Sequence, residues 1–173
     1  VLTPLVHHYD PRTDSSLGDR LRPPSAEHWF GTDSLGRDNL VRVLHAARIS
    51  LGLGVSSVIV AAVVGSLLGL VAGYAGRRID LVLMFCMDIL LAFPSTLLAI
   101  AIVAMIGPGL RNSLLAISTV AIPIYARIAR GAVLELREHE FVTAARGLGA
   151  SASRVLLRHI FPNALPPLIV QTT

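Results

Sequence analysis

Two places in this sequence carry side chains capable of chemistry: His7-His8-Tyr9-Asp10 near the start, and Asp88 inside an apolar run. Imidazole and carboxylate groups bind divalent metals, but two adjacent histidines on a regular helix cannot both face one ion. The residues around His7 are typical of an irregular loop, and no second cluster of His, Asp, Glu or Cys completes a catalytic set. The sequence therefore predicts neither a metal site nor an enzyme active site.

An acid within a membrane helix suggests a proton path or an ion site, and Asp88 is such an acid. Because Asp88 lies about two turns into its predicted helix from the cytoplasmic end, the simpler interpretation is that it pairs with an arginine such as Arg127 or reaches interfacial water. The single Cys86 has no partner for an internal disulfide. The chain contains no lysine, so it cannot form the lysine-containing phosphate loop of an ATPase.

The composition shows which elements must position these groups. Hydrophobic residues make up 53% of the chain and charged residues only 15%, which is typical of a membrane protein. The basic residues, all arginines, are spread along helix ends and loops rather than gathered on one soluble face, so nucleic-acid binding is not expected. Because backbone groups in lipid must be satisfied within their own segment, we expect an all-α, polytopic helical protein.

Three apolar segments are long enough to span a bilayer as helices. We place them at about 49–76, 81–106 and 112–134, with a kink in the second at Pro94. Arg127 and Arg130 fall in the last turns of the third, where they can extend to the headgroup layer. The first span carries the glycines Gly52, Gly54, Gly65, Gly69 and Gly73. These glycines either permit close helix packing or reflect the ordinary frequency of glycine in membrane helices.

The distribution of arginines between the loops predicts the orientation of the chain in the membrane. Arg77 and Arg78 follow the first span, and four arginines follow the third, whereas only Arg111 lies between the second and third. Arginine-rich loops face the cytoplasm, so residues 135–163 are predicted to be cytoplasmic and residues 1–48 external.

The cytoplasmic segment is predicted to form two short helices. The first runs from Glu138 to Arg146 and is followed by Gly149; the second begins after a Ser151 cap and stops before Pro162. Small residues in the first helix would let another protein approach, while its apolar side chains need a partner or the membrane surface. A docking surface and a solvated connector both fit this pattern.

The same segment resembles the "EAA" signature of ATP-binding-cassette importer permeases. That signature has Glu-Ala-Ala, a glycine four residues later and a distal Ile-x-Leu-Pro; here Thr143, His159 and Phe161 replace the Glu, Ile and Leu. The departures resemble variants of the dipeptide and oligopeptide branch. By this resemblance the residues at the ATPase contact are Glu140, Phe141, Thr143, Ala144, Ala145, Arg146 and Gly149.

A second motif, Gly31-Thr32-Asp33-Ser34-Leu35-Gly36-Arg37-Asp38, resembles the external segment of permeases in that branch. Its residue types predict a polar turn, with Asp38 capping an amphipathic helix at the outer interface. The external residues assigned to this motif are Gly31, Thr32, Asp33, Gly36, Arg37 and Asp38. Further similarity lies at Ala72-Gly73-Tyr74, Phe93-Pro94-Ser95, Gly107-Pro108 and Phe161-Pro162-Asn163, so the resemblance runs from His28 to Gln171.

The resemblance implies the type I importer permease fold and a non-catalytic subunit of the bacterial or archaeal inner membrane. Its partners would be two ATPase subunits or domains that bind ATP and magnesium, a second related permease, an external solute-binding protein and the bilayer. The cargo would be di- or oligopeptides, with nickel or another small solute as the alternative. A membrane enzyme built on His7 to Asp10 and an ion-coupled carrier remain as other classes.

The organisation expected from these inferences has four parts: external residues 1–48, three spans within 49–134, the coupling loop 135–163 and the start of a further span at 164–173. The absence of an initiator residue at Val1 and the short final apolar run suggest a fragment of a longer subunit.

Overall fold

A computed structural model describes residues 16–172 of the chain and contains no strand there. The all-α prediction is confirmed for this part. The chain divides into two compact units, Val1–Gly54 and Val55–Thr173. A short 3-10 turn, Leu17–Asp19, precedes the first helix, and Thr32 and Asp38 form an isolated β-bridge.

The first helix, α1, spans Asn39–Tyr74. The sequence predicts an interfacial helix before residue 49 and a span from residue 49 onward, but the structure has a single helix across both. Residues 39–49 contain neither proline nor glycine, so nothing in the backbone ends a helix at that point. The predicted start of the first span is therefore not a helix boundary.

The second predicted span is two helices, α2 (Arg77–Ala92) and α3 (Ser95–Ile106), whose axes are bent by 95°. This is a larger change of direction than the predicted kink. Phe93 has extended backbone angles of φ −93° and ψ 139°. A residue before proline avoids the α conformation because its backbone and Cβ clash with the proline ring. Pro94 therefore acts chiefly through the residue that precedes it.

Helix α4 spans Leu110–Leu136 and contains Pro123 in its interior. Helices α1 and α4 are each long and apolar enough to cross a membrane, and the bent pair α2–α3 makes a third candidate if it is counted as one span. The candidate spans are identified only by helix length and composition, within residues 16–172.

A glycine stripe brings α1 and α4 together. A Cβ added at Gly65 would lie 2.6 Å from the Ile122 carbonyl oxygen, and one at Gly69 would lie 2.3 Å from the Ala126 carbonyl oxygen. At Gly73 it would lie 2.8 Å from Val133 Cβ. Only hydrogen fits at these three positions, so the close-packing interpretation is confirmed for them. Within the described chain, an added Cβ at Gly52 or Gly54 meets nothing within 4 Å.

Two ion pairs join α2 to α4. Arg127 Nη2 lies 2.7 Å from Asp88 Oδ1, so the predicted partner of this intramembrane acid is confirmed. The second pair was not foreseen: the guanidinium of Arg130 donates from two nitrogens to the Asp80 carboxylate, with 2.6 Å between Nη2 and Oδ2. Arg130 was expected to extend to the headgroups. Two-point pairing fixes the orientation of the guanidinium plane relative to the carboxylate.

Three further helical pieces follow α4: α5 (Glu140–Gly147), α6 (Ala152–Val155) and α7 (Phe161–Thr172). A π turn, Leu156–Ile160, joins α6 to α7.

Candidate functional site

The candidate coupling segment, residues 135–163, packs against α1 and α4 through an apolar cluster that includes a residue of its first short helix. Val142 is 0% exposed and belongs to an apolar cluster with Leu70 of α1, Val133 of α4, Val155 and Ile160. The sequence predicts that the apolar side chains of α5 need another protein or the membrane surface as a partner. Val142 instead finds its partners within the chain.

Ala144 and Ala145 were expected to form one small-residue surface, but they differ. Ala144 is exposed, whereas Ala145 is half-buried and packs against the Val142 cluster. Successive residues of an α-helix point about 100° apart, so adjacent alanines necessarily face different directions. Of the pair, only Ala144 remains fully available to a partner.

The outer surface of α5 combines small, apolar and charged groups. Phe141, Ala144 and Leu148 recur at helical spacing, and their exposed fractions include 40% for Phe141 and 89% for Leu148. The Phe141 ring centroid lies 5.6 Å from that of His139. Glu140 occupies the first turn, where a negative charge complements the helix dipole. The predicted contact residues Glu140, Phe141, Thr143, Ala144, Arg146 and Gly149 are all exposed.

Gly149 ends α5 through its backbone conformation. Its φ of +82° lies in the left-handed region, which a side chain disfavours. The Gly149 N–H donates to the Arg146 carbonyl at 2.9 Å, and the Ala150 N–H donates to the Ala145 carbonyl at 3.1 Å. These two bonds constitute a Schellman cap. A Cβ added at Gly149 meets no described atom within 4 Å, so conformation and not space selects glycine here.

We expect Gly149→Ala to loosen the end of α5. Alanine in the left-handed conformation costs about 1–2 kcal/mol, so exchange of the Leu148 to Ala150 amides should rise roughly 5- to 30-fold. Gly147→Ala is the matched control, because Gly147 has ordinary helical angles and open space among the described residues. Hydrogen exchange measured by mass spectrometry on the full-length protein would decide. Equal exchange in both variants would contradict the role assigned to the cap.

The second short helix does not stop before Pro162, contrary to the prediction. The Phe161 N–H donates to the Leu156 carbonyl, which is a π-type bond, and α7 continues through Pro162. Pro162 has no backbone N–H to donate to the preceding turn, and that turn is the π turn, where the hydrogen bonding already departs from the α-helical pattern. Ser151 occupies the predicted cap position, but its side chain makes no capping hydrogen bond.

The external motif is built around Asp33. Its Oδ1 accepts from the N–H groups of Leu35 and Arg37 at 2.8 and 3.0 Å. Its Oδ2 receives Arg37 Nε at 2.8 Å and Arg42 Nη1 at 2.6 Å. The backbone bond from Arg37, with further donors from its side chain and from Leu35, lowers the pKa of Asp33 to about 2 against the opposing effect of burial. The carboxylate therefore stays ionised at physiological pH.

Asp38 caps α1, as predicted. Its Oδ1 accepts from the N–H groups of Leu40 and Val41 at 2.8 and 3.1 Å, and its Oδ2 lies 2.8 Å from His28 Nδ1. Burial alone would raise the pKa of Asp38, but the bonds to the His28 ring and to these backbone amides outweigh burial and lower it. Capping by an aspartate fixes where the helix begins.

The remaining motif residues hold the turn. Thr32 is buried, and its hydroxyl oxygen accepts from the Arg22 N–H at 2.9 Å. Gly31 has a φ of +62°, and Gly36 has a φ of +75° with the Ser16 carbonyl oxygen only 1.7 Å from an added Cβ. These contacts show that the predicted external residues stabilise the turn in which they lie. Within residues 16–172, none of their contacts indicates a bound ligand.

The candidate metal cluster, His7 to Asp10, lies outside the described residues. Within residues 16–172 no three His, Cys, Asp or Glu side chains are grouped to hold a metal ion.

Comparison with known proteins identifies the family. A family model described as the binding-protein-dependent transport system inner membrane component matches residues 65–173. The chain belongs to this family. The match covers the glycine stripe of α1, the ion-paired helices and the whole coupling segment, so the resemblance inferred from the sequence motifs is confirmed. This binding-protein-dependent inner membrane component is an integral membrane protein.

Several curated relatives of this inner membrane component are similar to it. A dipeptide transport system permease protein of Alkalihalophilus pseudofirmus is 51% identical over 92% of this chain and 53% of its own length. A probable D,D-dipeptide transport system permease protein of Escherichia coli is 45% identical over 100% of this chain and 58% of its own. A di/tripeptide transport system permease protein of Pseudomonas aeruginosa is also 45% identical, over 100% and 59%. The chain spans about half the length of these relatives.

Proposed function

We propose that this chain is part of the permease subunit of an ATP-driven, binding-protein-dependent importer of di- or oligopeptides. The names of its relatives refer to dipeptides, di/tripeptides and D,D-dipeptides, which favours peptides over nickel as the cargo. On this proposal the subunit is not an enzyme. The expected partners are two ATPase subunits or domains, which bind ATP and magnesium, a second permease and an external solute-binding protein.

The proposed topology follows the arginines. Arg77, Arg78 and residues 135–163 face the cytoplasm, residues 1–48 lie outside, and the helices from α1 to α4 make three crossings. Lipid-facing surfaces of α1 and α3 then account for the many large apolar side chains that are exposed in the chain by itself.

The observation that carries the coupling role is the two-sided character of α5. Its inner side contributes Val142 to an apolar cluster that also contains Leu70 of α1 and Val133 of α4, while its outer side presents Phe141 and Ala144. A short helix with one face anchored to the membrane helices can transmit a displacement applied to its other face. We propose that an ATPase applies that displacement and that α1 and α4 respond by alternating access.

A single-residue change on the outer face tests this role. We expect Ala144→Glu to remove ATP-dependent peptide uptake, because it adds volume and charge where the partner must approach. Ala144 is exposed, so the subunit itself should fold normally. Ala75→Glu, at an exposed alanine outside the segment and on the same proposed side, is the matched control.

The measurement is affinity purification of the full-length subunit from its native membrane, followed by mass spectrometry for a copurifying ATPase. ATPase bound to the wild type and to Ala75→Glu, but lost from Ala144→Glu, would support the proposal. Absence of an ATPase from the wild type would overturn it and would favour an ion-coupled carrier or a membrane enzyme. A transport assay with dipeptide and nickel in parallel then tests the cargo.

A further inference from the structure

We propose that Tyr74 is a positioning residue that ties the coupling helix α5 to the cytoplasmic end of α1. Tyr74 is the last residue of α1, and the guanidinium carbon of Arg146 in α5 lies 5.7 Å from the centroid of its ring. A cation over an aromatic face at this distance is attracted by the ring quadrupole. This role rests on the proposed importer function.

The environment of the Tyr74 ring favours a fixed geometry. Tyr74 is half-buried and packs against the apolar cluster that contains Val142 and Leu70. One residue earlier, the Gly73 carbonyl oxygen accepts from Arg137 Nη1 at 3.4 Å. The end of α1 is thus contacted by two arginines, Arg137 at the end of α4 and Arg146 within α5.

Arg146 is available for this contact. The ion pairs within residues 16–172 do not include Arg146, so the Tyr74 ring is the one aromatic or charged partner that the described chain gives to its guanidinium. Arg146 was predicted from the sequence to neighbour the ATPase contact. The geometry gives it an additional role inside the subunit.

The contact also adds a second link between α5 and α1. Val142 shares an apolar cluster with residues of α1 and α4, whereas Arg146 contacts α1 through the Tyr74 ring. Because the glycine stripe locks α1 against α4, a displacement delivered at Tyr74 moves both helices as one body. Loss of the ring should therefore weaken the link between ATP hydrolysis and transport without removing the docking face.

The test uses the assembled importer in proteoliposomes and measures peptide transported per ATP hydrolysed. Tyr74→Leu removes the aromatic face and should lower this ratio about two- to fivefold. Tyr74→Phe keeps the face and should retain the wild-type ratio. Arg146→Gln should lower the ratio as well, and the Tyr74→Leu/Arg146→Gln double variant should be no worse than Arg146→Gln alone.

The outcomes separate the two proposals. A wild-type importer without ATP-dependent peptide uptake would overturn the proposed function and this role with it. Uptake by the wild type, combined with an unchanged ratio in Tyr74→Leu or with effects that multiply in the double variant, would overturn the role of Tyr74 alone.

A second measurement tests the proposal even if a Tyr74 variant fails to fold. Arg146 is exposed, so Arg146→Gln leaves the core intact. In the full-length subunit this variant should raise amide exchange in α5 about two- to fivefold while α4 keeps its protection. Unchanged exchange in α5 would overturn the proposal independently of transport.

Discussion

Replacing Gly69 by leucine is expected to separate α1 from α4 and to prevent the subunit from accumulating in a folded form. A Cβ at this position would lie 2.3 Å from the Ala126 carbonyl oxygen and 2.7 Å from Ala129 Cβ. The first obstacle is backbone, which cannot swing aside as a flexible side chain does. Overpacking typically costs about 1–3 kcal/mol, and a leucine against backbone belongs at or above the upper end of this range.

We expect this overpacking cost to lower the stability of the α1–α4 pair directly, because packing, and not hydrophobic transfer, holds helices together in lipid. Thermal unfolding of the full-length subunit in detergent, followed by size-exclusion fluorescence, measures the effect. Gly131→Leu is the matched control, since an added Cβ at Gly131 meets no described atom within 4 Å. Equal unfolding temperatures for the two variants would contradict the assigned packing.

The second large effect is expected from Val142→Glu. Val142 is 0% exposed in a cluster of apolar side chains, so a carboxylate there must either be buried without a partner or drive α5 away from the bundle. Burying an unpaired charge costs several kcal/mol. Detaching α5 is less unfavourable, because it exposes only part of the apolar cluster to solvent. We therefore expect α5 to detach and ATP-dependent uptake to be lost.

Limited proteolysis reports this detachment directly. The chain contains no lysine, so trypsin cleaves it only after arginine. Val142→Glu should accelerate cleavage at Arg137 and Arg146 in detergent-solubilised, full-length subunit. Thr143→Glu is the control, because Thr143 is exposed and the family signature has glutamate at this position. Identical cleavage of both variants would show that Val142 does not anchor the segment.

The external motif illustrates how much of a local structure the sequence can predict. Asp38 as the helix cap and Asp33 as an acceptor for nearby backbone both follow from residue type, because their partners lie within four residues along the chain. The hydrogen bond from Arg42 to Asp33 joins residues that lie further apart in the chain, and it was not predicted. Short-range hydrogen bonds are encoded in residue order, and longer ones depend on the path of the turn.

The candidate coupling segment shows what the sequence could not predict. Its position in the chain, its helical character and a break in the helix near Gly149 were predicted from the sequence. Neither hydropathy nor spacing told which face of an eight-residue helix would be buried, since Phe141, Val142 and Ala145 are all apolar. The answer came from Leu70 and Val133, which lie on other helices.

By itself the sequence determined that this is a helical membrane protein, because bilayer thickness and backbone hydrogen bonding allow few alternatives for long apolar segments. The order of its motifs gave the resemblance to the importer permease family. Only the tertiary structure decided that Gly65, Gly69 and Gly73 face α4, that Asp80 holds Arg130, and that the chain turns by 95° at Pro94. These features depend on which surfaces meet, and that is fixed by contacts between residues far apart in the chain.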